Sequence, residues 1–246
     1  MKKSLLIVGG IFLSIIIYLV VVYPSIYYRI GQGNLPFLDV KPMYKFNENL
    51  SSEKIIYVAM GDSLTYGAGV DNFSDAYPYL IAKKIAGENQ SVTLFPLAFP
   101  GYKSTDLTGN LLSSAIAAKP NIVTIMIGVN DIHSQVSLSD FEQNYQLIIN
   151  DLKTKTTAKI YLISLPFIGD SSLMPPPYQQ YFISKTTEFN ESIKKLAEKN
   201  QIEFIDITSD TIETFKKPGD HYSKDHFHPS ALGYKLFEQS IYEHLR

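Results

Sequence analysis

The sequence predicts an α/β fold, a three-layer α/β/α sandwich whose parallel sheet has about five strands. Short runs of aliphatic and β-branched residues alternate with segments of helical periodicity from residue 54 onward. The run 122–127 is apolar throughout, which is typical of a parallel strand covered by helices on both faces. We therefore expect βαβ units with a flavodoxin-like order of strands, preceded by one N-terminal transmembrane helix.

Strands and helices are predicted in alternation. The strands are expected at residues 55–60, 91–95, 122–127, 159–165 and 203–207. The helices are expected at residues 77–85, 104–116, 139–152, 189–197 and 229–241. Ser139 and Glu142 form the pattern of a capping box, so the third of these helices is expected to begin at Ser139.

The bulk composition excludes several classes of protein. The 246 residues include 22 basic and 24 acidic side chains, which give a formal net charge of −2 and a pI of about 6.2. Such a chain lacks the basic surface that nucleic-acid binding requires. The sequence contains no cysteine, which excludes disulfides, thiolate metal sites and a cysteine nucleophile.

Residues 1–28 are a predicted membrane anchor. Residues 5–23 form an almost wholly aliphatic run of 19 positions, and no charge lies between Lys3 and Arg29. As a helix, this run would be about 28 Å long, close to the roughly 30 Å hydrocarbon core of a bilayer. A cleaved signal peptide would have an apolar region of about 7–15 residues and a small-residue cleavage site. The longer run, followed by no such site, predicts an uncleaved single-pass anchor.

The flanks of the apolar run predict its orientation and the domain boundaries. Lys2 and Lys3 precede the run and Arg29 alone follows it, so the N-terminus is expected in the cytoplasm and the remaining chain outside it. Residues 29–53 contain glycines and prolines and end in a polar stretch, which predicts a tether. The folded domain is expected over residues 54–246.

Four loops that follow predicted strands carry the candidate functional groups. In chain order they contain Gly61-Asp62-Ser63, Phe99-Pro100-Gly101-Tyr102, Gly128-Val129-Asn130-Asp131 and Asp225-His226-Phe227-His228. The carboxyl ends of strands in an open parallel sheet form one edge, where ligands bind, so these loops are expected to meet there. Together they supply a hydroxyl, an imidazole, a carboxylate and a carboxamide, the groups that acyl transfer requires.

Ser63, His228 and Asp225 are predicted to act as nucleophile, general base and base-orienting carboxylate. A serine hydroxyl must give its proton to a base, and imidazole is suited to this near pH 7. Asp225 precedes His228 by three residues, so its carboxylate can reach the second ring nitrogen. The predicted donors to a tetrahedral oxyanion are the backbone N–H groups of Ser63 and Gly101 and the side-chain amide of Asn130.

These loops resemble, in order and spacing, the four motif blocks of the SGNH (GDSL) hydrolase family. The resemblance covers about residues 54–246 and matches the block positions to Ser63, Gly101, Asn130 and His228. It implies ester hydrolysis without a metal or cofactor. One departure lies before Gly101, where residues 95–100 contain no asparagine, although many members of the family have one there.

Several residues near the motifs have two interpretations. The aromatic residues Tyr66, Tyr102 and Phe227 either line a substrate site or take part in ordinary packing. His133 follows the third loop and either borders the pocket or lies at the surface, which is the position we expect. The imidazoles of residues 221, 226 and 228 suggest a metal site, but the Ser-His-Asp arrangement already accounts for His228, so no metal is expected. The segment 166–181 is long for a connection and is either a binding wall or a solvated loop.

The sequence therefore favours a membrane-anchored, extracytoplasmic serine esterase. Its substrate would be a small-molecule ester, a lipid acyl ester or a glycan O-acetyl ester. A second hypothesis is an acyltransferase that modifies cell-envelope glycan, which would need a partner to supply the acyl donor. A third is a non-catalytic binding module, against which the intact set of Ser63, Asn130, Asp225 and His228 argues.

Overall fold

The structure, a computed structural model, describes residues 2–32, 35–50, 54–87, 89–167 and 169–245. Its strands are β1 (Tyr44–Phe46), β2 (Lys54–Gly61), β3 (Ser91–Ala98), β4 (Ile122–Met126), β5 (Lys159–Ile163) and β6 (Glu203–Ile205). Its α-helices are α1 (Lys2–Gln32), α2 (Ser63–Tyr66), α3 (Tyr77–Ala86), α4 (Ser104–Asp106), α5 (Leu112–Ala117), α6 (Val129–His133), α7 (Leu138–Lys155), α8 (Tyr178–Asn200), α9 (Ile207–Phe215) and α10 (Ala231–Tyr242). A 3₁₀ turn covers Phe73–Asp75, and a π-helical segment, Leu107–Leu111, joins α4 to α5.

The strands form one six-stranded sheet in the order β1-β3-β2-β4-β5-β6. Strands β2 to β6 pair in parallel, and their order is 2-1-3-4-5 when these five are numbered alone, which is the flavodoxin-like order. Helix α10 packs against α3 and α9, whereas α7 packs against α5 and α8, so the helices form two layers. The predicted three-layer α/β/α sandwich is confirmed.

Strand β2 lies inside the sheet, between β3 and β4. Val58, Ala59 and Met60 have no exposed surface. Because helices cover both faces of the sheet, the strand is a continuous apolar run and does not alternate between apolar and polar residues. The strand therefore delivers Gly61 and the residues that follow it to the middle of the carboxyl edge.

The predicted tether contributes an edge strand to the sheet. β1 pairs antiparallel with β3, with Tyr44 opposite Leu94 and Phe46 opposite Val92. The ring of Tyr44 stacks on Phe73, and the rings of both β1 aromatics contact Tyr79. This aromatic packing covers the edge of β3, so the domain boundary that the sequence predicts at residue 54 lies after a strand that belongs to the sheet.

Helix α1 is longer than the predicted anchor and ends on the folded domain. Residues Gly9–Ile30 have a mean hydropathy of 2.2 and are long and apolar enough to cross a membrane. Ile11, Phe12 and Leu13 are exposed, whereas Ile26 near the other end is only 1% exposed. The part of α1 around Ile26 therefore belongs to the packing of the domain, together with Arg29 and Ile30, which the sequence assigns to the tether.

Helix α7 begins before the predicted capping box. The N-cap is Ser137, whose hydroxyl accepts a hydrogen bond from the backbone N–H of Asp140 at 3.1 Å. Glu142 accepts a hydrogen bond from the Ser192 hydroxyl on α8 at 2.6 Å and so joins two helices. The helix start predicted at Ser139 was wrong. Glu142, which a capping box at Ser139 would need, instead binds Ser192 of the neighbouring helix.

Candidate active site

The motif loops meet at the carboxyl edge of the sheet. Gly61, at the end of β2, is in register with Ala98 on β3 and with Met126 on β4. The segments that follow these three positions contain Ser63, Gly101 and Asn130. The paired strands therefore bring these three predicted site residues to one edge, as expected for an open parallel sheet.

Ser63 is the first residue of α2 and follows β2 after a sharp turn. Asp62 is the N-cap, and its side chain accepts a hydrogen bond from the Leu64 N–H at 3.0 Å. A Cβ at Gly61 would lie 2.0 Å from the Thr65 hydroxyl oxygen and 2.5 Å from the Met126 carbonyl oxygen, so the turn requires glycine. The N–H groups of a helix's first turn have no intrahelical acceptor, so the Ser63 N–H can donate to a ligand.

A chain of hydrogen bonds joins Ser63, His228 and Asp225. His228 Nε2 lies 3.0 Å from Ser63 Oγ, and His228 Nδ1 lies 2.6 Å from Asp225 Oδ2. An ionised carboxylate only accepts hydrogen bonds, so Nδ1 carries the proton and Nε2 is free to accept one from the serine. The serine is 8% exposed, which leaves its hydroxyl nearly enclosed.

The loop around His228 is held by the Asp225 carboxylate. Asp225 Oδ1 accepts hydrogen bonds from the Ser223 hydroxyl at 2.7 Å and from the N–H groups of Phe227 and His228 at 2.9 Å each. Burial alone would raise the pKa of Asp225, but the hydrogen bond and charge of His228, with the other donors, hold that pKa below its usual value. The carboxylate therefore remains charged and keeps the imidazole oriented.

Gly101 and Asn130 form the other side of the site. Gly101 has φ +84°, and a Cβ there would meet no atom within 4 Å, so its backbone conformation is what favours glycine. The Asn130 amide donates to the Tyr102 carbonyl at 3.0 Å and so joins the loop after β3 to α6. A carboxamide has two N–H donors, so one remains for an oxyanion.

Two buried carboxylates lie behind these loops. Asp131 accepts hydrogen bonds from the Ser104 hydroxyl at 2.6 Å and from the Ser104 N–H at 3.0 Å, which fixes α6 against α4. Burial raises the pKa of Asp131 despite these bonds. Burial also raises the pKa of Asp62 to about 7, and the charge of Asp131 adds to this shift. Asp62 Oδ2 has no hydrogen-bond partner within the part of the chain that the structure describes.

The three predicted aromatic residues lie in different surroundings. Tyr66 is buried, donates to the Leu38 carbonyl at 2.6 Å and contacts the rings of Phe37 and Phe99. Tyr102 contacts Phe99 and supplies the carbonyl that binds Asn130. The Phe227 ring contacts the imidazole of His228 with 4.9 Å between ring centroids. Phe227 is thus the one of the three whose ring touches the Ser63–His228–Asp225 chain.

His133 lies inside the fold, contrary to the surface position expected for it. Its ring contacts Phe182 at 4.5 Å and Phe227 at 5.6 Å between centroids. Burial lowers the pKa of His133 to about 4, so the imidazole is neutral at pH 7. Its place at the C-terminal residue of α6 gives no signal of this burial, because the two rings come from distant parts of the sequence.

A second carboxylate–imidazole pair, which sequence reasoning missed, borders the site. Asp170 Oδ2 lies 2.7 Å from His226 Nδ1, and Asp170 Oδ1 accepts hydrogen bonds from the Ser172 N–H at 2.7 Å and the Leu173 N–H at 3.0 Å. The Asp170 N–H also donates to the His226 carbonyl at 3.2 Å. The pair therefore joins the segment after β5 to the loop that carries Asp225 and His228.

Comparisons with known proteins agree with this geometry. The sequence model of the GDSL-like lipase/acylhydrolase family matches residues 59–236. The spore germination lipase LipC of Bacillus licheniformis is 25% identical over 207 residues, which are 75% of this chain and 93% of the lipase. An acetylxylan esterase of Geobacillus stearothermophilus is 27% identical over 143 residues, which are 55% of this chain and 64% of the esterase.

Solved structures share the fold. A catalytic mutant of an acetylxylan esterase from Geobacillus stearothermophilus matches with a TM-score of 0.64 and 20% sequence identity. The match covers 78% of this chain and 94% of that chain. At this identity the likeness establishes the α/β/α architecture, and the chemistry rests on the residues at the carboxyl edge.

Proposed function

Because this chain belongs to the GDSL-like lipase/acylhydrolase family and is an ester-hydrolysing serine hydrolase, we propose that Ser63, His228 and Asp225 are its catalytic triad. The family membership that the motif loops predicted is confirmed. The observation that carries the proposal is the unbroken chain of contacts, 3.0 Å from Ser63 Oγ to His228 Nε2 and 2.6 Å from His228 Nδ1 to Asp225 Oδ2.

Acylation begins with proton transfer from the Ser63 hydroxyl to His228 Nε2. The serine oxygen attacks the ester carbonyl carbon, and the negative charge moves to the carbonyl oxygen. The N–H groups of Ser63 and Gly101 and the Asn130 amide donate to that oxygen. His228 then protonates the departing alcohol, which leaves an acyl group on Ser63.

Deacylation repeats these steps with water. His228 removes a proton from the water, the hydroxide attacks the acyl carbonyl, and Ser63 regains its proton as the carboxylic acid leaves. A sugar hydroxyl in place of water would make the same site an acyltransferase, with a partner needed to supply the donor. The names of the relatives include both an acetyl esterase and a lipase, so O-acetyl and lipid acyl esters are the two substrate classes considered.

Replacing the nucleophile tests this proposal. The full-length chain in detergent is expected to hydrolyse p-nitrophenyl acetate without an added acceptor or partner, and Ser63→Ala is expected to reduce kcat/KM by at least about 10³-fold. Ser114→Ala, at an exposed serine on α5, is the matched control and should retain activity. Equal rates for wild type and Ser63→Ala would exclude the proposed mechanism.

The membrane anchor is the second part of the proposal. The apolar length of α1 and the position of Lys2 and Lys3 ahead of its apolar run support a single-pass helix with a cytoplasmic N-terminus and an extracytoplasmic catalytic domain. The natural absence of cysteine permits single-cysteine labelling in intact cells. A membrane-impermeant maleimide should label Ser114→Cys from outside and Ser4→Cys only after lysis. The reverse pattern would contradict this orientation.

A further inference from the structure

An apolar cavity lies between α1 and the catalytic domain. Its volume is about 550 Å³, within the roughly 300–1,000 Å³ range of small-molecule sites. Val20 and Tyr23 of α1 form one wall, and Ile132 of α6 with Tyr178 and Tyr181 of α8 form the other. The lining is therefore mainly aliphatic and aromatic, which suits a hydrocarbon chain better than a sugar.

The cavity is connected to the proposed triad by neighbouring aromatic rings. Tyr181 contacts Phe182, and Phe182 contacts His133. His133 contacts Phe227, which in turn contacts His228. Ile132, in the cavity wall, is two residues from the proposed oxyanion donor Asn130 on the same short helix. The apolar cavity and the reacting groups thus belong to one continuous region of the protein.

Polar contacts hold α1 against this region. The Tyr18 hydroxyl donates to the Pro176 carbonyl at 2.8 Å, and the Arg29 guanidinium donates to the Ser172 carbonyl at 2.7 Å. The Tyr23 and Tyr178 rings lie 5.6 Å apart. The residues beyond this junction, from Gly9 to Tyr18, are exposed and apolar. A helix that crosses the bilayer would therefore place the cavity at the level where lipid is available.

We propose that this cavity binds the acyl chain of a membrane lipid ester while the ester carbonyl lies at Ser63. This inference rests on the proposed function and names the substrate class of the same site. The lipid alcohol leaves first, the acyl chain remains in the cavity as the acyl-enzyme, and water releases it as a free carboxylic acid. Lipid is favoured over glycan because the walls present hydrocarbon and ring surface next to a membrane helix.

Filling the cavity tests the proposal. Val20→Trp in the full-length enzyme is expected to reduce kcat/KM for p-nitrophenyl palmitate by at least about tenfold, with kcat/KM for the acetate within about twofold, because only the long chain needs the cavity. Val21→Trp is the matched control, since Val21 is about as exposed as Val20 on the same helix (61% against 65%) but is not part of the cavity wall. A loss common to both variants, or to both substrates, would overturn the inference.

A binding measurement separates this inference from the proposed catalysis. In the Ser63→Ala protein, a palmitate ester that carries a diazirine on its chain should cross-link to residues 20–24 or 177–181, and Val20→Trp should abolish the cross-link. Acetate hydrolysis without this cross-link would overturn the acyl-chain site alone. Cross-linking by a wild-type protein that hydrolyses neither ester would overturn the proposed esterase and its lipid substrate together, leaving only a chain-binding cavity.

Discussion

At the residue scale, Asp62 has a role that differs from those of the reacting groups. It is 1% exposed and caps α2 through one oxygen, while the other has no partner among the described residues. Its pKa of about 7 lies above the value of roughly 3.9 for an unfolded chain. An acid whose pKa is higher in the folded chain than in the unfolded chain adds to stability at pH values below its pKa in the unfolded chain. This contribution is lost as the pH rises through its pKa in the folded chain.

Asp62→Asn is therefore expected to stabilise the protein at alkaline pH. The carboxamide oxygen can still accept from Leu64 N–H, but the side chain cannot ionise. The difference in free energy of unfolding between variant and wild type should move in the variant's favour by about 3 kcal/mol between pH 5 and pH 9. Chemical denaturation at the two pH values measures it, with the exposed Asp71→Asn as control. A difference that does not change with pH would contradict a raised Asp62 pKa.

The residues proposed to react could be predicted from the sequence because Ser63 follows a strand that is recognisable locally and the Asp225–His228 loop carries a motif. Ser63 and His228 are 165 positions apart, yet the carboxyl ends of parallel strands lie at one edge, so fold and motif together predicted that they meet. The Asp170–His226 pair could not be predicted in this way. Asp170 lies in an irregular segment, and neither periodicity nor a motif indicates its partner 56 positions away.

At the scale of elements, long apolar runs were predicted well and short elements were not. β2, β3, β4 and β5 follow apolar runs, and their order follows from the alternation with helices. β1 has only three residues, and its strand character depends on pairing with β3 and on the rings of Phe73 and Tyr79. The sequence did not predict helix α9, whose N-cap is Asp206, because its nine residues follow the short strand β6 directly.

Asp170 joins the segment between β5 and α8 to the loop that carries His228. Its carboxylate accepts from Ser172 and Leu173 and pairs with His226. Burial acts to raise the pKa of Asp170, but its hydrogen bonds with Ser172 and His226 outweigh this and lower it. The charged form therefore holds this segment to the loop that carries the proposed base.

Asp170→Ala is expected to loosen both segments. It removes the acceptor of the buried Leu173 N–H and of the partly buried Ser172 N–H. A buried N–H left unpaired costs about 1–3 kcal/mol. Limited proteolysis should then cut within residues 166–177 faster than in wild type, and kcat/KM for the acetate ester should fall although the triad is intact. Asp151→Ala, which removes a helix-surface pair with Lys155, is the control. Unchanged proteolysis would show that the Asp170 contacts do not order this segment.

At the scale of the whole molecule, two segments that precede the sheet contact the loops of the domain. Tyr18 and Arg29 of α1 donate to the carbonyls of Pro176 and Ser172, and residues 37–38 contact Tyr66. Phe37 and Phe99, in ring contact there, are 76% and 45% exposed. Exposed apolar surface of this kind is typical of protein or membrane interaction sites. Both features support the proposed position of the site next to the bilayer.

The sequence predicted an anchor but not its packing on the domain. Apolar length and flanking charge are local signals, whereas the partners of Tyr18 and Arg29 lie 158 and 143 positions further along the chain. Ile26 is indistinguishable in sequence from Ile11 and Ile15 of the apolar run, yet it is buried against the domain and they are exposed. Only the folded structure separates the exposed part of α1 from the part that belongs to the core.

Ile26→Ala tests whether α1 is part of the fold or only a tether. If α1 belongs to the core, truncating a buried isoleucine leaves a cavity and should lower the free energy of unfolding by about 2–4 kcal/mol. Val21→Ala removes a similar side chain from an exposed position of the same helix and should change this free energy little. Chemical denaturation in one detergent compares the two variants directly. Equal stability of both would mean that the domain folds independently of α1 and that the helix is a tether.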